Sequence, residues 1–310
     1  MKDMLDDQFK TLQNNYHFDV YTQNENRKIG EPNRDQRVCR FCGETQKTGA
    51  TFKKKAHALS EGIGNKAIIL NEECDSCNEQ FGNTIEQDLQ RHFELFIIIA
   101  GNKGKNGYRK KKDETHYIQS NGQSTNIVSH NNKTQKKSNH KPLSTIELNS
   151  SYNIATVNIY RALCKYALSV IPSAELSKFN KTIQWIKGTK VITKLPECFL
   201  SVAINQENSH PQLMLHIRKN NNKELPYLVV NLHIGSIIII YIVPGCNRDD
   251  RDFTALEDFS LFESTFCHLS MEWKKENYNS YTKTVNNFAI CLQAVKENKS
   301  LTRHLKQGLT

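Results

Sequence analysis

Four cysteines in two Cys-x-x-Cys pairs are the residues of this chain whose spacing most clearly predicts chemistry. The pairs are Cys39-Arg-Phe-Cys42 and Cys74-Asp-Ser-Cys77, about 30 residues apart. Thiolates from two such turns are common ligands of a tetrahedral zinc ion. Four thiolates leave no open coordination position, so the pattern predicts a structural zinc rather than a catalytic one.

A histidine and several polar residues lie between and after the two cysteine pairs. The string comprises Ala56-His57-Ala58-Leu59-Ser60-Glu61, Gly64-Asn65, Asn71-Glu-Glu-Cys74-Asp-Ser-Cys77-Asn78, Phe81-Gly82 and Ile85-Glu86. It resembles the HNH endonucleases, the ββα-metal nucleases, and most of all their bacterial branch with four zinc-binding cysteines and an Ala-His core. The resemblance covers residues 38–96, under a third of the chain. It implies a zinc-stapled ββα module that hydrolyses phosphodiester bonds.

The resemblance assigns catalytic roles to three residues. His57 matches the general base of the family, because a neutral imidazole can accept a proton from water near pH 7. Asn78 matches a ligand of a catalytic divalent metal, although an asparagine at a helix start is also typical of an N-cap. Asn71 matches the residue that orients the loop carrying His57, and Asn65 is the alternative for that role. The implied cofactors are a structural zinc ion and a catalytic magnesium or manganese ion.

One position departs from the family pattern. Many HNH sequences carry an acidic or histidine ligand directly before the general base, whereas this chain has Ala56 there. Another oxygen must then complete the metal site, or water fills the place, as magnesium commonly allows. Glu61, Asp75 and Glu86 are the candidates, and the sequence does not rank them.

The chain of 310 residues carries a net charge of +10, and two basic segments contribute to it. Such a balance favours a polyanionic partner, nucleic acid first, although an excess of lysine is also typical of a solvated surface. The first segment is a glycine-rich basic loop after the HNH-like string, which we predict to contact the phosphate backbone. Its candidate contacts are Lys103, Lys105, Arg109, Lys110, Lys111 and Lys112. The second segment, residues 133–141, is predicted to contribute in the same way.

The remaining cysteines and the apolar runs indicate where in the cell the protein is expected. Five of the nine cysteines are scattered without spacing, which indicates reduced thiols rather than a disulfide framework. The first residues contain no apolar signal core, and the longest apolar runs are far too short to cross a bilayer. We therefore expect a cytoplasmic protein that does not act at a membrane.

The elements that must position these residues predict an α+β fold in four segments. Residues 1–37 form a polar segment with one weak amphipathic helix, and residues 22–36 are predicted to be a loop. Residues 38–101 form the HNH module, which begins with a hairpin of residues 52–59 and 67–70. A helix follows and divides near Gly82, and a capping box predicts where its second part begins. Residues 102–150 form a basic linker or hairpin, with strands at 115–119 and 125–130.

Residues 151–310 are predicted to form a second, mixed α+β domain of unknown ligand. Helical patterns run from 153 to 187 and are interrupted by Pro172. Strands are expected at 198–203, 212–217, 227–234 and 236–243, with further β-rich runs at 266–273 and 288–295.

Three functions remain open from the sequence. The first is a metal-dependent endonuclease, with DNA the favoured substrate, in restriction or anti-phage defence. The second is a non-catalytic zinc-knuckle protein that binds nucleic acid. The third is a nuclease effector that is activated by a small nucleotide or a partner protein bound to residues 151–310. A homo-oligomer is among the assemblies that the sequence leaves open.

Overall fold

The computed structural model describes residues 2–22, 26–104, 107–112, 116–129, 144–202, 210–267, 271–297 and 300–306. Within these ranges the α-helices are α1 (Lys2–Asn15), α2 (Asp75–Asn83), α3 (Ile85–His92), α4 (Glu94–Ile99), α5 (Thr156–Val170), α6 (Asn180–Ile186) and α7 (Leu256–Phe266). The β-strands are β1 (Tyr16–Tyr21), β2 (Arg27–Ile29), β3 (Ile68–Leu70), β4 (Lys103–Gly104), β5 (Gly107–Tyr108), β6 (Lys110–Lys112), β7 (His116–Ser120), β8 (Thr125–Ser129), β9 (Ser144–Ile154), β10 (Cys198–Val202), β11 (Gln212–Arg218), β12 (Leu228–Ile234), β13 (Ile237–Ile242), β14 (Lys274–Glu276), β15 (Thr284–Glu297) and β16 (Ser300–Lys306). Helices and strands are mixed and the four paired cysteines lie in the N-terminal region, which confirms the α+β class.

The largest sheet is antiparallel and has the strand order β1-β11-β12-β13-β10-β14. Its inner strands are rich in isoleucine, valine and leucine, and β-branched side chains favour extended backbone. On β13, Ile237 and Ile239 belong to one apolar cluster, and Ile238 and Ile240 belong to another. Side chains of α5 lie in the first cluster and those of α7 in the second, so helices cover both faces of this sheet.

The HNH-like segment packs on this sheet through α5. Its buried apolar side chains belong to the same cluster as those of α5 and β11 to β13. Phe81, Ile85 and Leu89 recur about once per helical turn and are buried, and α3 packs directly on α5. The helix divides at Thr84, as predicted, but Thr84 makes no capping bond to α3 and its hydroxyl donates to the Gln80 carbonyl at 2.6 Å. The segment therefore rests on the C-terminal part of the chain.

The first 36 residues contain more strand than the sequence predicts. The helix α1 confirms the amphipathic pattern, but β1 then pairs with β11 at the edge of the large sheet. The strand β2 lies within the predicted loop and pairs in parallel with β3. The strand β2 is only three residues long, Arg27–Ile29, so it depends on β3 rather than on a pattern of its own.

The predicted hairpin of residues 52–59 and 67–70 is reduced to one antiparallel bridge between His57 and Ile69. The strand β3 is only three residues long and uses its other edge for β2. Residues 53 and 54 bond instead to the Asp75 carboxylate, so this stretch forms no ladder with β3.

The basic stretch after α4 is also more ordered than predicted. The hairpin of β7 and β8 is confirmed, and β6 joins it as a third strand. The strands β4 and β5 pair with each other, so the predicted glycine-rich loop is partly sheet.

The C-terminal part confirms most of its predicted elements. The strands β10 to β13 match the four predicted runs, and α5 ends before Pro172. Three findings differ: Ser173–Phe179 is a 3-10 helix before α6, the run at 266–273 begins at the end of α7, and β9 spans residue 150. The strand β9 pairs with β15, which contains the predicted run at 288–295. The division into four segments stays a prediction.

Within the described ranges, no helix combines the length and the apolar character needed to span a membrane.

Candidate active site and zinc centre

The four predicted zinc ligands converge. The Sγ atoms of Cys39, Cys42, Cys74 and Cys77 all lie within 4.8 Å of one another. Those of Cys42 and Cys74 are 3.7 Å apart, close to the ~3.8 Å edge of a tetrahedron with Zn–S bonds of about 2.3 Å. Gly43 turns the first knuckle with a φ of 77°, and its N–H donates to the Cys39 carbonyl at 2.9 Å. The donor set and its spacing fit one zinc ion held by four thiolates.

Arg40 lies between the two ligands of the first knuckle and anchors it to the end of α5. Its Nε–H donates to the Glu72 carboxylate at 2.8 Å, and its guanidinium also donates to the Ile171 carbonyl at 2.7 Å and to the Ser173 hydroxyl at 3.1 Å. The side chain is 3% exposed. Sequence reasoning missed this contact, because no motif distinguishes a buried arginine in a knuckle from a solvated one.

Main-chain bonds hold His57 from both sides. The Ala58 N–H donates to the Ile68 carbonyl at 3.1 Å, and the Leu70 N–H donates to the Ala56 carbonyl at 3.0 Å. From α5, the Nζ atom of Lys165 donates to the carbonyl of the histidine itself at 3.1 Å. The imidazole therefore projects from backbone that is fixed by β3 and by α5 together.

The imidazole of His57 has an unbonded buried nitrogen and a lowered pKa. Its Nδ1 atom is buried and has no hydrogen-bond partner among the described residues, whereas buried polar atoms in folded proteins are normally bonded. Burial lowers the pKa of His57, while the Glu61 carboxylate opposes this shift and the ammonium groups of Lys55 and Lys165 add to it. The neutral form, which accepts a proton, therefore prevails at pH 7.

Lys165 lies at the centre of a buried cluster of three charged side chains. Its Nζ atom is 3.1 Å from a carboxylate oxygen of Glu73 and 3.1 Å from one of Glu86, and the three side chains are 1%, 0% and 9% exposed. Burial alone would lower the pKa of Lys165, but the two carboxylates outweigh burial and raise it. Burial raises the pKa of Glu73 to about 7, although Lys165 opposes this shift. One ammonium group thus compensates two buried carboxylates beside the histidine and the zinc centre.

Asn65 closes the loop that precedes β3. Its fully buried side-chain amide donates to the carbonyls of Leu59 and Ile68 at 2.7 and 2.9 Å, and its Oδ1 accepts from the Ile68 N–H at 3.0 Å. Asn71 follows β3, and its N–H donates to the Ile29 carbonyl at 2.9 Å. Asn65 lies inside the loop and reaches both of its ends, which favours Asn65 over Asn71 for the loop-orienting role, and the assignment of that role stays a prediction.

Asn78 is the fourth residue of α2, and Cys74 is the N-cap of that helix. The N-cap interpretation of Asn78 is therefore excluded. One turn earlier, the Asp75 carboxylate accepts from the Thr51 hydroxyl at 2.6 Å and from the Lys54 N–H at 2.8 Å. These bonds hold the segment that leads to His57 against the start of α2. Asn78 lies three residues after Asp75, and residues three apart on a helix share a face.

The structure ranks the three candidates for the missing metal ligand. The Asp75 carboxylate is already engaged by the bonds just described, and Glu86 is paired with Lys165. Glu61 begins a short 3-10 helix, Glu61–Ile63, and is half-buried. Its carboxylate forms no ion pair or hydrogen bond with any part of the chain that the structure describes. Glu61 is therefore the carboxylate near His57 that is available to a cation.

The predicted basic contacts on β6 fall on two faces. Lys110 and Lys112 are exposed on one face, as alternation along a strand requires. Lys111 points to the other face and pairs with Glu94 of α4 at 3.0 Å, so its charge is already compensated. The second basic segment, residues 133–141, lies outside the described residues.

Arg109 joins the basic stretch to the HNH-like segment. One of its guanidinium nitrogens donates to the Gln90 side-chain oxygen at 3.1 Å, and the Gln90 amide donates to the Ser60 hydroxyl at 2.9 Å. Lys103 is exposed, and Lys105 lies outside the described residues.

Comparison with known proteins agrees with this geometry. A model of the HNH endonuclease family matches residues 39–94, a span that contains the four cysteines, His57 and Asn78. This segment therefore belongs to the HNH endonuclease family, and its cluster of four cysteines is consistent with the zinc-binding branch. Neither the curated proteins nor the solved structures gave a match to the chain. The family supports a nuclease and implies a nucleic-acid substrate.

Proposed function

We propose that the protein is a metal-dependent endonuclease that hydrolyses phosphodiester bonds of DNA. The observation that carries this proposal is His57, an imidazole with a buried, unbonded Nδ1 inside the segment that matches the HNH family. A histidine with only a structural role would normally have that nitrogen bonded.

His57 supplies the proton transfer in the proposed reaction. Its neutral imidazole takes a proton from water while the water oxygen bonds to phosphorus and the ester oxygen leaves. The pKa of His57 is lowered from its ordinary value of 6.5, which favours the neutral imidazole at pH 7. Lys165 and the bonds to β3 hold the backbone that carries it, which keeps the ring in one place.

The oxygens of Glu61 and Asn78 would hold the catalytic cation. Carboxylate and amide oxygens suit magnesium and manganese, both of which accept water in the remaining positions. Such a cation, when bound, stabilises the charge that develops on the phosphate. The zinc centre cannot replace it, because four thiolates leave zinc no open position.

The net charge of +10 and the exposed lysines of β6 support a polyanionic substrate. DNA rather than RNA, and a role in restriction or anti-phage defence, are proposals that come from the family resemblance.

Cleavage of supercoiled plasmid DNA by the purified protein tests the proposal. We expect nicking with magnesium or manganese, none with excess EDTA, and recovery when the metal is returned, while the zinc content stays at one ion per chain. Binding of DNA without cleavage in either metal would support the non-catalytic zinc-knuckle alternative. Cleavage that appears only with an added nucleotide would support the activated effector.

A further inference from the structure

A cleft of about 720 Å³ lies beside the HNH segment, within the range of roughly 300 to 1,000 Å³ that is common for small-ligand sites. Its described walls come from four parts of the chain: the loop before β3, the residues around β4 and β5, the turn between β7 and β8, and His210. Gly64, Gly101 and Gly122 line it, each with a positive φ, between 69° and 103°. A Cβ on Gly101 would lie 2.0 Å from the Gly122 nitrogen, so glycine is required where the two walls meet.

The charge of the cleft selects an anion. Lys66 and Lys103 line it and are exposed, and none of its described lining residues carries a carboxylate. Tyr108 adds a half-buried ring, and the Nζ atom of Lys103 lies 4.9 Å from the centre of that ring. A cation and an aromatic face in one wall are the usual combination for a phosphate and its attached base.

Asn102 adds an unused hydrogen-bond acceptor. Its side chain is 4% exposed, its amide nitrogen donates to the Ile63 carbonyl at 3.1 Å, and its Oδ1 has no partner among the described residues. Because Ile63 offers only an acceptor there, the nitrogen must face it and the orientation of the amide is fixed. The free Oδ1 requires a donor, such as the N–H groups on the edge of a nucleobase.

Two parts of the cleft wall also contact the loop that follows His57. Gly64 lies on the same loop as Glu61, and Tyr108 directly precedes Arg109, which reaches Ser60 through Gln90. A ligand in the cleft would therefore lie next to the loop that follows His57.

We propose that this cleft binds one nucleotide unit, with its phosphate on Lys66 and Lys103, its base on Tyr108, and a base N–H on Asn102. The nucleotide belongs either to an unpaired stretch of the nucleic-acid substrate, a reading that rests on the proposed function, or to a free nucleotide. Both sources present the same phosphate and base.

Binding measured in EDTA keeps this proposal separate from nuclease activity. The probes are a fluorescein-labelled single-stranded 12-mer of mixed sequence, followed by anisotropy, and AMP, followed by calorimetry. The variants are the double substitution Lys66→Ala with Lys103→Ala, and Tyr108→Leu. Lys190→Ala is the matched control, because Lys190 is an exposed lysine that does not line the cleft. Thermal melting of each variant checks that it is folded.

We expect the Tyr108 variant to bind the single strand about tenfold more weakly, since stacking on an aromatic ring contributes about that factor per base. The double lysine variant should reduce the slope of log K against log salt by about 0.7, because both lysines hold the same phosphate and one phosphate contact on a single strand contributes about that much. If AMP binds to the wild type and its binding is lost in the same variants, the ligand is a free nucleotide. If AMP does not bind while the 12-mer does, the ligand is part of a strand.

Binding of both probes to the folded variants at the strength of Lys190→Ala would overturn the proposal. That result would leave plasmid cleavage by the wild type unaffected, whereas a failure of cleavage would leave the binding result intact. The two proposals can therefore fail separately.

Discussion

Replacement of Lys165 by methionine should destabilise the protein strongly. Methionine has a similar length and keeps the apolar contacts of the stem, so the change removes mainly the charge and its donors. In the wild type this ammonium lies 3.1 Å from each of the carboxylates of Glu73 and Glu86 and 3.1 Å from the His57 carbonyl. The variant would leave two carboxylates and one carbonyl without that partner.

The magnitude follows from the burial of the cluster. Removal of one partner from a buried ion pair costs about 3–5 kcal/mol, because the remaining charge is desolvated and uncompensated. The three side chains are at most 9% exposed, so solvent offers little screening. A loss of this size is a large share of the roughly 5–15 kcal/mol that stabilises a typical domain.

Urea unfolding followed by circular dichroism measures the effect, with Lys54→Met as the control. Lys54 also pairs with a glutamate, Glu79, at 2.8 Å, but the two side chains are 57% and 62% exposed. An exposed pair contributes little to stability, so the control should unfold close to the wild type. Lys165→Met should unfold at a clearly lower urea concentration. Unfolding of Lys165→Met within the error of the control would refute the reasoning, because it would mean that the cluster is hydrated or compensated in another way.

Three further predictions concern the metal, the pH and the basic strand. Cys74→Ser should lose the zinc ion and lower the melting temperature, because the short knuckle region depends on its metal; an unchanged zinc content by elemental analysis would contradict the assignment. Because burial lowers the pKa of His57 below its ordinary value of 6.5, the cleavage rate should fall to half its maximum at a pH below 6.5, as the imidazole becomes protonated; a half-maximal rate above pH 6.5 would contradict this sign. Lys110→Ala and Lys112→Ala should each lower the salt slope of duplex binding by about 0.9, whereas Lys111→Ala, which breaks the pair with Glu94, should leave that slope nearly unchanged.

The metal and helix pattern of the HNH segment was predictable because its signals are local. The spacing of Cys39, Cys42, Cys74 and Cys77 specifies two turns that can meet at one ion, and the structure brings these sulfur atoms together. The division of the helix was predicted from Gly82 and from the capping-box pattern that begins at Thr84, and the helix does divide at Thr84, although without the capping bond. The isoleucine-rich strands of the large sheet were predictable for the same reason, since their runs are short, rich in β-branched residues and bounded by turn residues.

The supports of the site were not predictable because they depend on distant partners. Lys165 and Arg40 are charged, and a charged side chain in an isolated sequence is expected at the surface. Each is buried only because carboxylates and carbonyls from another part of the chain meet it. The strand β2 is similar, since its three residues are too few to show a strand pattern and they pair only because β3 lies beside them. The choice between Asn65 and Asn71 also required the loop geometry.

The central claim is that His57 is the general base of a metal-dependent nuclease. Its most direct test compares plasmid cleavage by the wild type, His57→Ala and His17→Ala in manganese, where His17 is an exposed histidine on β1. General-base assistance contributes about 10²- to 10⁴-fold, so His57→Ala should cleave more slowly by that factor while its zinc content and DNA binding match those of the other two proteins. Cleavage by His57→Ala at the rate of the wild type would contradict the assignment and favour the zinc-knuckle binding protein.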